Sequence, residues 1–369
     1  LVDIIQSDPK LEVVGTARDG RDGVQKIVEL KPDVVTLDVE MPDVDGLGAL
    51  QELRRRKIRL PVVMFSALTE RGGRKTLEAL SLGASDYVTK PDSAKNLAES
   101  SNRIRSVLLP KLRALGERRR GGGAPPAPAR PPAGRAPVRG PVPAPGRPAA
   151  TPAGNAAQPV APPVGGRRPE AGRVDALLIG ISTGGPNALQ ELFKTLQVDV
   201  PVAIVQHMPP TFTRLLAERL NTLSPMEVVE GQAGMEMRRG RVIIAPGDYH
   251  IEFERKGAGI HIRTTQDAPE NSCRPAVDVM FRSGQSIWGA NILSVVMTGM
   301  GSDGMLGVEP IHAAGGRVLI QDEESSVVWG MPGAVHQRGL ADKVVPLPQM
   351  AKEIMSTIQR LNARAKRTA

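Results

Sequence analysis

The stretch VDALLIGISTGGPNALQELFKTL, residues 174–196, decides how the second half of the chain folds. VDALLIGIS (174–182) is almost wholly apolar, as a strand buried on both faces must be. Gly184, Gly185 and Pro186 then turn the chain: glycine permits a sharp bend, and proline suits a first helical turn, where its missing N–H is not needed. GPNALQELFKTL (185–196) has helical apolar spacing. Strand, tight turn and helix together make one unit of a parallel, doubly wound sheet. The same alternation continues downstream. PVAIVQH (201–207), RVIIAPG (241–247), NILSVVMTG (291–299) and RVLIQD (317–322) read as strands, and TFTRLLAERLNTL (211–223) as a helix. HIEFERKGAGIHIRTT (250–265) alternates with period two around Lys256-Gly257, so a hairpin interrupts the pattern.

The first hundred residues show the alternation too. LEVVGTA (11–17), DVVTLD (33–38), PVVMFSA (61–67) and DYVTK (86–90) are strand candidates, with helical stretches at about 20–30, 46–56, 70–82 and 93–108. Residues 121–170 differ in kind, with 15 Pro and 9 Gly among 50 positions. Such a segment has too little apolar side chain to offset its conformational entropy and is expected to be a disordered, partly extended linker. The expected organisation is a domain over 1–109, a linker over 110–172 and a second α/β domain over 173–369.

Charge and composition narrow the function. The net charge of +9 suggests nucleic acid until it is located. Residues 121–170 hold six Arg, no Lys and one acid, so +5 of the excess sits in the linker. Aromatic residues are 2% of the chain, too few for a base-stacking surface, and no short recognition-helix unit follows the linker. Cys273 is the only cysteine, which excludes an intramolecular disulfide or a Cys-based zinc site. No apolar run approaches the roughly 20 residues of a membrane span, and the N-terminus does not read as a signal peptide. A cytoplasmic protein is expected.

In the first domain, Asp38, Ser66 and Lys90 each close a candidate strand. The carboxyl edge of a parallel sheet is where such folds place their chemistry. A carboxylate, a hydroxyl and an ammonium converging there are the equipment for an aspartyl phosphate: nucleophile, hydrogen-bond donor and fixed positive charge. Taken singly, each is equally a turn or surface residue. TLDVEMPDVDG, FSA and YVTKP resemble the phosphorylation motifs of bacterial response-regulator receivers, over residues 1 to about 109. The resemblance implies a flavodoxin-like receiver, phosphorylation of Asp38 by a histidine kinase, and Tyr87 as a switch aromatic beside Ser66 and Lys90. Receivers of this family open with a strand ending in an acidic pair that binds Mg²⁺, and the sequence starts beyond that point, in what reads as the first helix. The expectation is a receiver lacking its first strand, in which no metal site is retained and Mg²⁺ belongs to phosphorylation of a full-length form.

In the second domain, Ser182 sits at the strand-to-helix corner, beside unpaired backbone N–H groups and a positive helix end that suit an oxyanion. His207 and Asp303 follow two other apolar strands. Alone, each has a structural alternative: a cap, a packed histidine, a turn aspartate. Together they are the three types a serine hydrolase needs, at one edge of one sheet: a nucleophile, a base, and a carboxylate to hold the base's tautomer. IGISTGGPNAL, VQHMPPTFTRLLAERLN, IAPGDYHIE, RPAVDVMF and VMTGMGSDGMLG resemble the catalytic domain of chemotaxis protein-glutamate methylesterases, from about Val174 to Ile358. The resemblance implies Ser182 as nucleophile, His207 as base and then acid, Asp303 as orienting carboxylate, and the Met300 backbone N–H with Thr183 as oxyanion donors. It further implies methyl-accepting chemoreceptors as substrate, a second activity on glutamine, and no cofactor for hydrolysis. His250, His261, His312 and His336 lack metal-ligand spacing and read as packed or solvated. Arg274 reads either as a contact for an acidic partner or as a structural ion pair. Two other functions fit parts of the sequence: a phosphorylation-controlled binding module, against which the continuing strands argue, and an esterase for an unrelated small molecule, which triad residues alone do not exclude.

Overall fold

The structure, a computed structural model, describes residues 1–90, 97–120 and 172–368. The N-terminal part contains α1 (Val2–Gln6), α2 (Gly20–Leu30), β1 (Val35–Asp38), α3 (Gly46–Arg55), β2 (Val62–Ser66), α4 (Glu70–Ser81), β3 (Asp86–Thr89) and α5 (Leu97–Arg119). Its strands form a parallel sheet in the order β1-β2-β3. Residues 11–17, expected as a strand, carry no regular structure. A strand exists only through its ladder partners, and no described strand lies where the first strand of a flavodoxin-like sheet would pair with this segment. The expected linker start also differs, because α5 runs through Pro110 to Arg119. One missing backbone donor is outweighed by the burial of Leu108, Leu109, Leu112 and Leu115 and by a Lys111–Asp86 ion pair of 2.7 Å. The remainder of the Pro-rich segment, 121–171, lies outside the described residues.

The C-terminal part runs β4 (Ala176–Ile181), α6 (Gly185–Phe193), β5 (Val202–Gln206), α7 (Phe212–Leu223), β6 (Glu227–Glu230), β7 (Arg241–Ile244), then a hairpin of β8 (His250–Lys256) and β9 (Gly259–Thr265). It continues with α8 (Val277–Trp288), β10 (Ile292–Val296), α9 (Met305–Ala314), β11 (Arg317–Gln321), α10 (Gly330–Gln337), β12 (Lys343–Val345) and α11 (Leu347–Thr368). Seven parallel strands are ordered β12-β11-β10-β4-β5-β7-β6. Two short strands, β6 and β12, escape a sequence reading because three or four residues carry too little period-two signal. On β4, Leu177, Ile179 and Ile181 join one apolar layer with α6, α7 and α11, while Leu178 joins the opposite layer with α8, α9 and the hairpin. The sheet is thus covered on both faces, as its nearly continuous apolar strands require.

The two sheets share apolar packing. The layer holding Phe193, Phe212 and Leu215 continues into Leu77, Leu80 and Tyr87 of the N-terminal domain. Tyr87 stacks on Phe212 with ring centroids 4.9 Å apart and planes 7° from parallel. Around this contact, Asn187 donates to the Ala84 carbonyl at 3.1 Å and Ser81 to Gln190 at 3.1 Å. Glu70 and Arg74 face Arg214 and Glu218 in a four-membered charge network. At the far end of α5, Arg118 donates to the carbonyls of Ser326 and Glu324.

The central strand touches α8 closely at Gly180, where a Cβ would lie 2.3 Å from Val277 Cγ1. Gly180→Ala is therefore expected to destabilise the protein by about 1–3 kcal/mol through overpacking. Urea unfolding of the single variant and of Gly180→Ala combined with Val277→Ala checks this: the second substitution should recover most of the loss, since the two sites are in contact.

Candidate active site

β10, β4 and β5 are neighbours at the middle of the seven-stranded sheet, and the chain winds outward from β4 in both directions. That switch point opens a crevice at the carboxyl edge. Ser182 follows β4, His207 follows β5, and Asp303 follows β10 after a glycine-rich loop. Backbone bonds lock the three strand ends together. Ser182 N donates to the Thr298 carbonyl at 3.0 Å, and His207 N to the Ile181 carbonyl at 3.2 Å. The buried Gln206 amide donates to the Ser182 carbonyl at 3.0 Å. The turn itself needs Gly184, whose φ of +80° is left-handed and whose Cβ would lie 2.5 Å from Val327.

His207 Nε2 lies 2.8 Å from Asp303 Oδ2. Asp303 is 2% exposed and fully provided with donors. Its Oδ2 also accepts from Val277 N at 2.7 Å, and its Oδ1 from Asp278 N, Gly304 N and Asn271 Nδ2, each at 3.0 Å. The first turn of α8 thus supplies two N–H groups that a helix start leaves unpaired. Burial would raise the Asp303 carboxyl, but the His207 bond and charge with the backbone donors hold it down at about 2. Burial would likewise lower His207. The Asp303 bond and a contact with Cys273 override it and raise the imidazole to about 10. With Asp303 ionised, Nε2 carries the proton, and the other nitrogen, Nδ1, lies 3.5 Å from Cys273 Sγ. Nothing in the sequence marked Cys273 as a neighbour of His207; the two are 66 residues apart.

The loop after β10 abuts Ser182: a Cβ on Gly299 would lie 2.8 Å from Ser182 Cβ, which brings the adjacent Met300 backbone to the same corner. Thr183 is buried, and its carbonyl accepts from Thr298 Oγ1 at 2.9 Å. Thr298 Oγ1 in turn accepts from Val327 N and Val328 N, which ties the Ser182 turn to the 322–328 loop. Arg274 is spent structurally: it pairs with Asp248 at 2.7 Å and donates to the carbonyls of Gln266 and Asp267. His250 is packed, its ring accepting from Ala276 N at 3.2 Å.

In the N-terminal domain, Lys90 Nζ lies 2.6 Å from Asp38 Oδ2, and Glu40 N donates to Asp38 Oδ1 at 3.1 Å. Ser66 is buried on β2 and donates to the Gly72 carbonyl at 3.2 Å. Asp38 and Lys90 therefore meet, while Ser66 points back into α4. Tyr87 faces the C-terminal domain instead of this edge. Among the described residues no group of three or more His, Cys, Asp or Glu could hold a metal ion. No helix among the described residues is long and apolar enough to cross a membrane.

A three-stranded receiver-type sheet with a Lys-paired aspartate, joined to a doubly wound sheet with a buried His–Asp couple at its switch point, defines the class: a response-regulator domain coupled to a hydrolase-type α/β domain. The response regulator receiver family matches residues 1–102 and the CheB methylesterase family residues 177–354. The chain is 46% identical over 361 residues to a protein-glutamate methylesterase/protein-glutamine glutaminase of Nocardioides sp., covering 97% of this chain and 91% of that one. It is 39% identical to the protein of the same name from Trichodesmium erythraeum, covering 96% of this chain and 94% of that one. The catalytic domain of Thermotoga maritima CheB methylesterase, a crystal structure, is 35% identical, with a TM-score of 0.49, covering 50% of this chain and 98% of that one. The chain belongs to the family of two-domain protein-glutamate methylesterase/protein-glutamine glutaminases.

The His207–Asp303 couple makes stability depend on pH. A histidine raised from 6.5 to about 10 stabilises the fold fully below 6.5, and that contribution fades as pH rises through about 10. An aspartate lowered from 3.8 to about 2 contributes above 3.8 and loses its contribution as pH falls through about 2. Asp303→Asn should therefore cost on the order of a few kcal/mol at neutral pH. In urea unfolding across pH, the gap to the parent should narrow above about pH 10.

Proposed function

We propose that this chain is a phosphorylation-controlled serine hydrolase that demethylates glutamate γ-methyl esters on chemoreceptors and deamidates glutamines at the same site. The observation that carries the reading is the 2.8 Å bond from His207 Nε2 to the buried Asp303, on strands flanking the one that delivers Ser182. In the neutral form of His207, which the raised imidazole populates increasingly as pH rises, the proton stays on Nε2 and Nδ1 takes the Ser182 Oγ proton as Oγ attacks the γ-carbonyl carbon. The carbonyl π pair moves onto oxygen, and the Met300 N–H, with Thr183 beside it, stabilises that charge. When the tetrahedral centre collapses, the C–OCH₃ bond breaks and imidazolium returns the proton, so methanol leaves and Ser182 keeps the acyl group. Water, deprotonated by His207, then releases glutamate and restores the Ser182 hydroxyl. A glutamine follows the same path with ammonia as leaving group. Asp303 stays ionised throughout and stabilises the imidazolium.

Control is assigned to the domain interface. The N-terminal domain rests on α6, which begins at the Ser182 turn, and on α7, which begins after the His207 loop. Arg118 grips the 324–326 carbonyls of the loop tied to Thr298 and Thr183. A macromolecular substrate reaches Ser182 only when this contact opens. A histidine kinase of the chemotaxis system is the proposed phosphodonor. Phosphorylation of Asp38 adds negative charge beside Lys90 and reorganises the Ser66–Tyr87 face that carries the Phe212 stack. The effect passes through the interface described above.

Methanol release from membranes bearing methylated receptors tests the chemistry. Ser182→Ala should lower turnover by about a thousandfold or more with the fold intact. Cys273→Ala should retain most of the rate, and the reverse result would move the nucleophile to the thiol beside His207. Control is tested on the full chain: Tyr87→Ala with Arg118→Ala should raise the basal rate several-fold. An unchanged rate would leave the N-terminal domain a targeting module.

A further inference from the structure

One buried ionisable group has no part in the chemistry above. Asp278, in the first turn of α8, is wholly buried, yet both its carboxyl oxygens accept hydrogen bonds: Oδ1 from Gly307 N at 2.6 Å and Oδ2 from Asn271 Nδ2 at 2.9 Å. The same Asn271 nitrogen donates to Asp303 Oδ1 at 3.0 Å. A primary amide has two N–H bonds, and here one goes to each carboxylate. Asn271 occupies a turn with φ of +52°, a conformation asparagine tolerates better than most residues. The turn is closed by paired backbone bonds between Glu270 and Cys273, and Arg282 of α8 anchors it by a two-pronged bond to Glu270 at 2.8 and 2.5 Å. Residues 270–273 therefore reach the His207–Asp303 couple from two sides, Asn271 at the carboxylate and Cys273 at the imidazole.

We propose that Asn271 is a positioning residue for Asp303 and that Asp278 is the second carboxylate that fixes it, so that two buried carboxylates bridged by one amide set the orientation and charge of the His207 base. The inference rests on the role given to His207 under the proposed function. Each Asp278 oxygen accepts a hydrogen bond, so an ionised Asp278 has a donor on both sides. A buried anion survives only with such donors. Burial and the neighbouring Asp303 charge push its carboxyl up to about 6, so it is the more readily protonated of the two. The charged or titratable groups facing the pair are His207, with Cys273 against its far nitrogen, and Arg282 with Glu270 one turn along α8. Negative charge beside the imidazole favours imidazolium, and loss of that charge disfavours it.

Two near-isosteric substitutions in the full chain separate positioning from packing. Asp278→Asn removes a negative charge and sets an N–H against either Asn271 or Gly307, whichever way the amide turns. Asn271→Asp adds a charge and removes the bridge. Both should lower kcat for methyl-ester hydrolysis, on the order of a hundredfold for the lost bridge, with KM within about a factor of two. The acid limb of kcat/KM should move in opposite directions, to lower pH for Asp278→Asn and to higher pH for Asn271→Asp, each by at least about half a unit. A role confined to packing would not shift the limb with charge. Covalent labelling of Ser182 by a fluorophosphonate, followed over the same pH range, reads the same base without a receptor. If the methyl ester is not hydrolysed while labelling still depends on His207, the substrate reading fails and the labelling profile decides the positioning role. Limbs unmoved within about 0.2 unit, or moved in the same direction, overturn the proposal, and each variant alone fixes the sign if the other does not fold.

Discussion

A carboxylate cannot be buried without donors, and Asp303 is the buried charge around which the C-terminal domain is arranged. Three backbone N–H groups, one amide and one imidazole meet it. Two of those N–H groups belong to the start of α8, which can approach only because Gly180 on the central strand leaves room for Val277. The close seat of α9 on α8 at Gly307 belongs to the same packing, since a Cβ there would lie 2.7 Å from Phe281. Sheet, helix and loop positions follow from satisfying one charge. That constraint also fixes the tautomer of His207, because an acceptor-only Asp303 demands a proton on Nε2.

The domain interface obeys a different logic. Its centre is apolar, a parallel stack of Tyr87 on Phe212 within a layer continuous with the core, and its rim is polar and charged. Exposed ion pairs such as those of Glu70, Arg74, Arg214 and Glu218 add little affinity, so they set register more than strength. The receiver thereby rests on the helices that begin at Ser182 and after His207, and through Arg118 on the loop tied to Thr298. A contact of this kind can open without unfolding either sheet.

Much of this was legible in the sequence. Long, strongly periodic segments such as 174–196 and 201–223 announce strand and helix because both faces of a parallel sheet are apolar. Ser182, His207 and Asp303 stand out because parallel strands deliver their carboxyl ends to one edge. The segment 11–17 misled: its β-branched residues satisfy strand chemistry, but a strand is a property of its partners. The linker start at 110 misled in the opposite sense, since α5 continues through Pro110, which costs one bond that the buried leucines around it can outweigh.

The sequence by itself determined the longer strands of the C-terminal sheet, the strand ends where Ser182, His207 and Asp303 sit and the composition of the linker, because these depend on local periodicity, turn geometry and side-chain entropy. Only the tertiary structure decided that Cys273 touches His207, that Asn271 bridges Asp278 and Asp303, and that Tyr87 faces Phe212 instead of the Asp38–Lys90 edge. Those contacts join residues 7 to 125 positions apart through loops and a domain interface, where no local period exists to reveal a neighbour. What selects them is the requirement that each buried polar group find a partner and each apolar face a cover, a condition that holds only for the folded chain as a whole.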